Sequence, residues 1–184
     1  MAHGVLIESM IQAKNIDALN RSVKAAVDID GGNLIALTAP TTQGDDVWTA
    51  AKPATGSLGD LWIAYNPEVK YTYVNGKVYA GLSADARDYT NVAGEVFDAF
   101  KPVKGDEIVI TKDCVASADV DAVVAGDFLE AVNGEATFAR VAAGTGATAG
   151  STAFKVEWVG SVEFPKAGIG VEKVKAFKAV CVQE

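Results

Sequence analysis

The residues best suited to nucleophilic chemistry are one histidine and two cysteines, and their positions argue against a catalytic site. His3 is the sole histidine, and chain termini are usually frayed, so a Ser-His-Asp or Cys-His arrangement would take its base from the least ordered part of the chain. Cys114 and Cys181 stand 67 positions apart and have no partners at metal-ligand spacing. The sequence therefore predicts no metal site and two buried thiols, and it leaves a disulfide between them open.

Carboxylates are the one other source of catalytic groups. The chain has 24 acidic residues, and a glycosidase needs only two at the right separation. The visible clusters lie in turns or on alternating strands, where solvated acids are expected: Asp45 with Asp46, Asp119 with Asp121, and Glu130 with Glu135. We therefore expect no enzyme, and a small hydrolase with paired acids ranks last among the alternatives.

Two motif matches are interpreted as accidental. The run from Asp28 to Asn33 begins like a calcium-binding loop, but Asn33 takes the place of the turn glycine and Ala39 takes the place of the final Glu. The run from Gly144 to Ala149 fits the dinucleotide fingerprint, but a strand-like segment follows it where the phosphate-binding helix should begin. The sequence therefore predicts no cofactor.

Six tryptophan and tyrosine residues fall close together between positions 48 and 79. A carbohydrate-binding module could use such residues as a sugar-stacking platform, with Trp48, Trp62, Tyr71 and Tyr73 as its candidates. Packing of the core and of hairpins is the simpler explanation, because strands favour aromatic residues in any case. A carbohydrate-binding or host-attachment module remains the alternative function.

Hairpin patterns dominate the elements that must carry these side chains. Residues 69–74 and 77–80 flank Asn75-Gly76, a pair that suits a two-residue type I′ turn. Residues 127–132 and 135–141 flank Asn133-Gly134 in the same way. These patterns predict two β-hairpins and hence a largely antiparallel sheet.

Further segments have the period-2 alternation of strands. Residues 107–111 and 171–182 are two of them, and residues 27–30 with 33–37 form a predicted strand, turn and strand. A fourth segment, residues 154–159, is predicted to place Phe154, Val156 and Trp158 on one face.

Helix is predicted to be the minor element. Its candidates are residues 16–26, residues 91–100, and a turn or two within residues 117–125. Residues 38–60 and 142–153 are predicted to be long connections, because they are rich in small and turn-forming residues.

Length, composition and charge restrict the class of protein. The 184 residues suffice for one main domain, 49% of them are hydrophobic, and the net charge of −8 repels nucleic acid and anionic lipid. We see no apolar run of membrane-spanning length and no signal-peptide pattern, so synthesis in the cytoplasm is expected. The predicted fold is mainly β: an antiparallel sandwich or barrel-like domain over residues 27–184, with minor short helices and an N-terminal arm or amphipathic segment over residues 1–26.

Several stretches together resemble the head decoration, or capsid-stabilising, proteins of tailed bacteriophages. The resemblance covers most of the chain from about residue 27 onward and is a pattern of turns and apolar positions without a diagnostic motif. The stretches are Asp45-Asp-Val-Trp-Thr-Ala-Ala-Lys-Pro-Ala54, Leu61-Trp-Ile-Ala-Tyr-Asn-Pro67, Gly81-Leu-Ser-Ala-Asp-Ala-Arg-Asp-Tyr-Thr-Asn-Val-Ala-Gly94, Val96-Phe-Asp-Ala-Phe-Lys-Pro102 with Gly105-Asp106, and Gly126-Asp-Phe-Leu-Glu-Ala131.

The resemblance implies a structural virion protein, made in the host bacterial cytoplasm and bound to the exterior of the capsid. It would bridge subunits of the major capsid protein lattice as a homo-oligomer, trimer or dimer, and would have no direct contact with nucleic acid or membrane. Under this hypothesis the N-terminal segment would bind the capsid through its apolar residues, Val5, Leu6, Ile7, Met10 and Ile11. The alternative, in which these residues cover the domain's own core, is left open.

Overall fold

The computed structural model describes residues 2–42, 46–67, 70–74, 77–81, 83, 85–165 and 170–183, with residues 8, 9, 70–74 and 77–80 given by their backbone alone. Within these ranges the chain forms thirteen strands and four short 3₁₀ turns. The turns are Gln12–Asn15, Asp17–Leu19, Ala86–Asp88 and Lys112–Cys114. The strands are β1 (Leu6–Met10), β2 (Asn20–Ala25), β3 (Leu34–Pro40), β4 (Val47–Ala51), β5 (Trp62–Ala64), β6 (Lys70–Val74), β7 (Lys77–Gly81), β8 (Val96–Phe100), β9 (Glu107–Thr111), β10 (Phe128–Glu130), β11 (Ala139–Val141), β12 (Ala153–Pro165) and β13 (Val171–Gln183).

Three sheets are formed by these strands. A six-stranded sheet has the order β1-β9-β13-β12-β10-β11, a closed barrel has the order β2-β4-β3-β5-β8, and β6 pairs with β7. The described pairings are antiparallel except for that of β2 with β4. The prediction of a mainly β, antiparallel, barrel-like fold with minor short helices is confirmed.

Two apolar cores hold the sheets together. The barrel encloses one core, to which Val23, Ile35 and Trp62 contribute. One face of the six-stranded sheet supplies Ile110 and Phe177 to the larger core, which also contains residues from the barrel strands. Burial on both sides of the barrel wall explains why β3 begins with three consecutive buried residues.

The predicted hairpins have different outcomes. Strands β6 and β7 pair with Val74 opposite Lys77, which confirms the first hairpin, while its turn residues Asn75 and Gly76 lie outside the described residues. Strands β10 and β11 also pair, but Glu130 lies opposite Ala139, so the connection is much longer than Asn133-Gly134. Within that connection Gly134 donates its N–H to the carbonyl oxygen of Pro53, which follows β4 of the barrel.

Three helix predictions and one strand prediction are wrong. Residues 16–26 contain a short 3₁₀ turn followed by β2, and residues 91–100 end in β8. β2 and β8 pair with each other, so cross-strand hydrogen bonding in the barrel prevails over the local helical pattern. The predicted strand at residues 27–30 is reduced to an isolated bridge between Ile29 and Asn91. The helical turns predicted within residues 117–125 are not formed either, since residues 117–122 are successive turns without a helix.

The pairing of β12 with β13 has two register shifts, and the second lies between Val156 and Trp158. Phe154 and Val156 are buried, but the register shifts by one residue between Val156 and Trp158, and Trp158 lies opposite Lys178. Such a β-bulge turns the following side chains to the other face of the sheet. The prediction that Trp158 shares a face with Phe154 and Val156 is therefore wrong, and Trp158 is 44% exposed.

The N-terminal segment is part of the folded domain and not a separate arm. Leu6 and Ile11 belong to the large core, and β1 pairs with β9. The side chain of Asn66 holds the backbone of Leu6 by accepting its N–H and donating to its carbonyl. Since β2 also lies within the barrel, residues 1–26 are not separated from residues 27–184.

Candidate functional site

His3, Asp30 and Cys114 come close together, although the sequence separates them widely. The His3 Nδ1 atom lies 2.8 Å from Asp30 Oδ1, and both side chains are partly buried. Cys114 Sγ lies 3.3 Å from the carbonyl oxygen of Gly31, next to Asp30. This cluster has the residue types of a Cys-His-Asp triad, so its geometry decides whether it is suited to catalysis.

Cys114 is fully buried and is poorly suited to act as a nucleophile. Burial raises the pKa of its thiol to about 12, because a thiolate in this apolar core would lose its hydration. The thiol contacts the carbonyl oxygens of Val5 and Gly31. Cys181 is also buried, and no disulfide links the two cysteines. The arrangement is that of a packed core thiol.

The acidic clusters are engaged in structural contacts. Asp119 accepts the N–H of Arg140, and buried Glu130 accepts the N–H of Thr148. Asp46 lines a small recess beside Trp48, and Asp45 lies outside the described residues. Among the described residues, no group of three or more His, Cys, Asp or Glu side chains is placed to hold a metal ion.

Asp127 is the most strongly held carboxylate. It is 2% exposed, and it accepts hydrogen bonds from Val124 N, Ala143 N and Arg140 Nε. Burial alone would raise the pKa of Asp127, but the hydrogen bonds from Arg140 and the two backbone amides outweigh it and the net pKa is lowered. Asp127 thus joins the turn before β10 to strand β11 and to the loop that follows β11.

The surface that most resembles a docking site is the side of the six-stranded sheet that faces away from the large core. Residues directly opposite in antiparallel strands point to the same face, so the register identifies its members. We call this surface the open face, and it consists of Ile7, Met10, Glu107, Val109, Phe128, Val141, Lys155, Trp158, Lys178 and Val180. Each of these residues is exposed or half-buried.

One continuous row crosses all six strands of the open face. Starting from Met10 on β1, it passes through Glu107, Val180 and Lys155 to β10 and β11, where Phe128 lies opposite Val141. Neighbouring strands lie about 4.8 Å apart, so this row is about 24 Å long. That length matches the width of a typical protein–protein contact on one partner.

A second row runs through Ile7, Val109, Lys178 and Trp158. The indole of Trp158 lies against the backbone of Gly160, because a Cβ atom placed on that glycine would stand 1.9 Å from the ring. Gly160 therefore provides the space in which the ring lies flat on the sheet. The other side of the ring faces solvent.

Apolar side chains outnumber charged ones on the open face by seven to three, whereas the solvent side of an antiparallel sheet is usually polar. Lys178 lies 2.6 Å from Glu107 and 3.5 Å from Glu157, so its charge is compensated locally. The hydrogen bond with Glu107 is the main cause that raises the pKa of Lys178. An apolar surface with few charges is typical of a protein interaction site.

The far end of the same side of the sheet is covered by the chain itself. Arg87 is 8% exposed, contacts Asp85 at 2.7 Å and Glu172 at 3.0 Å, and lies over the ring of Phe164. The hydrogen bond from Arg87 lowers the pKa of Asp85. This contact closes a small core around Phe164 and Val174, so the open face ends where that core begins.

The structure divides the five predicted capsid-binding residues into two groups. Val5, Leu6 and Ile11 are at most 5% exposed and serve the chain's own cores, so their predicted role in binding a neighbour is not supported. Ile7 and Met10 lie on the open face, and Met10 is 64% exposed. Leu6 and Ile7 point to opposite faces of the sheet, and the register shift between Glu8 and Met10 brings Met10 to the side of Ile7.

Two of the four residues of the predicted aromatic platform, Trp48 and Trp62, have side chains that the structure describes. Trp62 is 8% exposed inside the barrel and has the Arg21 guanidinium over its ring, so it offers no exposed stacking face. Trp48 is half-buried at the barrel wall. Tyr71 and Tyr73 lie on β6, and their side chains are outside the described part of the structure.

Sequence reasoning missed Trp158, Val109, Phe128 and Val180 as surface residues. The signal was present in β13, whose alternation places Val180 on the side opposite to Ala179 and Cys181.

No helix in the described part of the chain has the length and apolar character needed to span a membrane. Comparison with protein families, with curated proteins and with solved structures finds no match for this chain.

Proposed function

We propose that this chain is a structural virion protein of a tailed bacteriophage that binds the outer surface of the capsid and stabilises the coat lattice. Its open face is the surface that contacts the coat, with Met10 and Trp158 at its most exposed points. The partner is the lattice of the major capsid protein. The role requires no catalysis.

The open face is the single observation that supports this proposal. A shell offers broad, shallow surfaces rather than deep pockets, and the face of a sheet six strands wide suits such a partner. The resemblance of the sequence to decoration proteins supplies the identity of the partner, and the open face supplies the means of attachment.

Physical linkage explains how binding would stabilise the shell. A protein that binds the assembled lattice and not the dissociated subunits adds its binding free energy to that of the lattice. Each site contributes a stabilisation of RT ln(1 + [L]/Kd), which is about 2.7 kcal/mol at a free concentration one hundred times the Kd. Many copies on one shell then act together against internal pressure.

Co-sedimentation with empty mature heads of the phage that encodes this chain tests the proposal. We expect saturable binding of the wild-type protein, and we expect Met10→Glu to weaken it at least tenfold, because the variant places a charge in an apolar contact. Met10 is 64% exposed, so this change should leave the fold intact.

Val27→Glu is the matched control, since Val27 is 46% exposed and lies outside the open face. It should bind the heads like the wild type. The proposal fails if the wild-type protein does not sediment with the heads, and the role of the open face fails if both variants bind equally well.

A further inference from the structure

Strand β12 extends well beyond its neighbour on one side. It pairs with β13 over Ala153–Pro165, but on its other edge β10 pairs only with residues 153–155. Val156 still forms hydrogen bonds on that side, with residues 126 and 127. Beyond it, no group in the described part of the chain forms a hydrogen bond with the outer edge of residues 158–164.

The two outermost strands of the six-stranded sheet have protected edges. On β1, the side chain of Asn66 bonds to both backbone groups of Leu6. On β11, Asp119 accepts the N–H of Arg140. Unpaired backbone groups along an edge are a template for another strand. Residues 158–164 have no such protection from the described residues, so their edge is available to a strand from outside the chain.

Two features set the limits of this free edge. The register shift between Val156 and Trp158 interrupts regular pairing before it. Pro165 ends it, because proline has no N–H to donate to a neighbouring strand. The free edge therefore runs from Trp158 to Phe164 and is centred on Ser161, whose side chain is exposed.

We infer that the free edge pairs antiparallel with the free edge of a second copy of this chain, about a two-fold axis at Ser161. Two-fold dimers, in which one surface meets itself, are the commonest protein assemblies. The free edge is suited to itself because Glu163 is its one charged residue and lies opposite Val159 of the second copy, so no like charges meet. An axis at Gly160 is disfavoured, because it opposes Glu157 to Glu163 of the second copy.

The same pairing aligns apolar residues on the side of the open face. Trp158 lies opposite Phe164 of the second copy, and Gly160 lies opposite Val162. Directly opposed residues point to the same face, so the two six-stranded sheets become one sheet with both open faces on the same side. The dimer does not depend on the proposed function, because it forms without phage heads.

Cysteine trapping in the full-length chain tests this pairing. Ser161→Cys brings two thiols together on the axis, because directly opposed Cα atoms lie about 4.5–5.5 Å apart and a disulfide spans about 4.4–6.8 Å. Glu163→Cys is the matched control, since Glu163 is exposed on the same edge but its two copies lie about 14 Å apart in the dimer. The native thiols of Cys114 and Cys181 are buried and should not react in the folded protein.

Oxidised glutathione and non-reducing gels measure the rate of trapping. We expect Ser161→Cys to form a covalent dimer at least about tenfold faster than Glu163→Cys. Sedimentation equilibrium of the wild type should give a mass that approaches twice the 19.1 kDa of one chain as the concentration rises. Ser161→Glu should weaken this association about fivefold, because two carboxylates meet on the axis.

A wild type that remains monomeric overturns the inference, and so do equal trapping rates or a faster reaction of Glu163→Cys. Amide hydrogen exchange identifies the other possible occupant. Exchange at residues 158–164 that slows only on phage heads, in a chain that is monomeric in solution, would overturn the inference and assign the free edge to a strand of the coat.

Discussion

Gly160→Ala is the substitution that probes the open face most sharply. A Cβ atom at residue 160 would stand 1.9, 2.3 and 2.5 Å from three carbon atoms of the Trp158 indole. Carbon atoms in real structures do not approach so closely, so the ring must leave its position on the strand. The backbone itself should tolerate alanine, because residue 160 lies within β12 and has no left-handed φ.

The magnitude follows from the burial of Trp158. The residue is 44% exposed, so 56% of its surface is covered. An indole side chain presents about 250 Å², so about 140 Å² is buried, which at about 25 cal/mol per Å² is worth about 3.5 kcal/mol. Lifting the ring from residue 160 exposes about half of this area and costs about 1.7 kcal/mol. The better strand preference of alanine offsets about 0.7 kcal/mol, so the net loss is about 1 kcal/mol.

Urea unfolding and tryptophan emission measure the two effects. We expect the free energy of unfolding to fall by about 1 kcal/mol, and we expect the emission of Trp158, isolated by subtraction of the Trp158→Phe variant, to move to longer wavelength as the ring becomes hydrated. Gly56→Ala is the matched control, because a Cβ atom there meets nothing within 4 Å.

A Gly160→Ala protein with unchanged emission and equal or higher stability would refute the placement of the indole on residue 160. Affinity for phage heads provides an independent measurement. If the indole of Trp158 lies within the part of the open face that contacts the coat, its displacement should weaken binding to the heads, even though residue 160 itself gains only a methyl group.

Three further predictions concern the scaffold. Leu6→Ala should lower the free energy of unfolding by about 2–4 kcal/mol in urea titration, because Leu6 is 2% exposed in the large core. Removal of residues 1–14 should destabilise the fold still more. A melting temperature that stays constant after this removal would contradict the prediction. The Cys114 thiol should not react with a disulfide reagent at pH 8 until the protein unfolds, because burial raises its pKa to about 12. Rapid labelling of Cys114 in the native protein would contradict its burial. Asp127→Asn should lower the free energy of unfolding by about 2–3 kcal/mol at pH 7. Since the folded pKa of Asp127 is lowered below 3.8, this contribution is present above pH 3.8 and is lost as the pH falls through the folded pKa. A wild-type advantage that does not shrink as the pH falls below 3.8 would contradict the assignment.

Local turn chemistry and alternation made much of the fold predictable. The pairing of β6 with β7 and the positions of β9 and β13 follow from patterns within a few residues of one another. The helix predicted over residues 16–26 failed because closure of the barrel gives β2 two partners, β4 and β8, that no local pattern displays. Tertiary pairing of this kind overrides weak helical periodicity.

The open face could be predicted only in part. Ile7 and Met10 were recognised as apolar residues available for contact, but their neighbours on the sheet come from β9 and from strands more than a hundred residues away. The prediction that Trp158 shares a face with Phe154 and Val156 failed because a β-bulge leaves no mark on the apolar pattern, and the register of β12 against β13 reveals it. The burial of Trp62 also depends on tertiary structure, since closure of the barrel encloses one side of β5.

Cryo-electron microscopy of empty mature heads saturated with the protein shows directly whether the open face contacts the coat. We expect ordered extra density on the outside of the shell, with the six-stranded sheet against the coat, Met10 and Trp158 at the contact, and the barrel facing solvent. Heads without added density, or density in which the barrel contacts the coat and the open face is exposed, would contradict the claim.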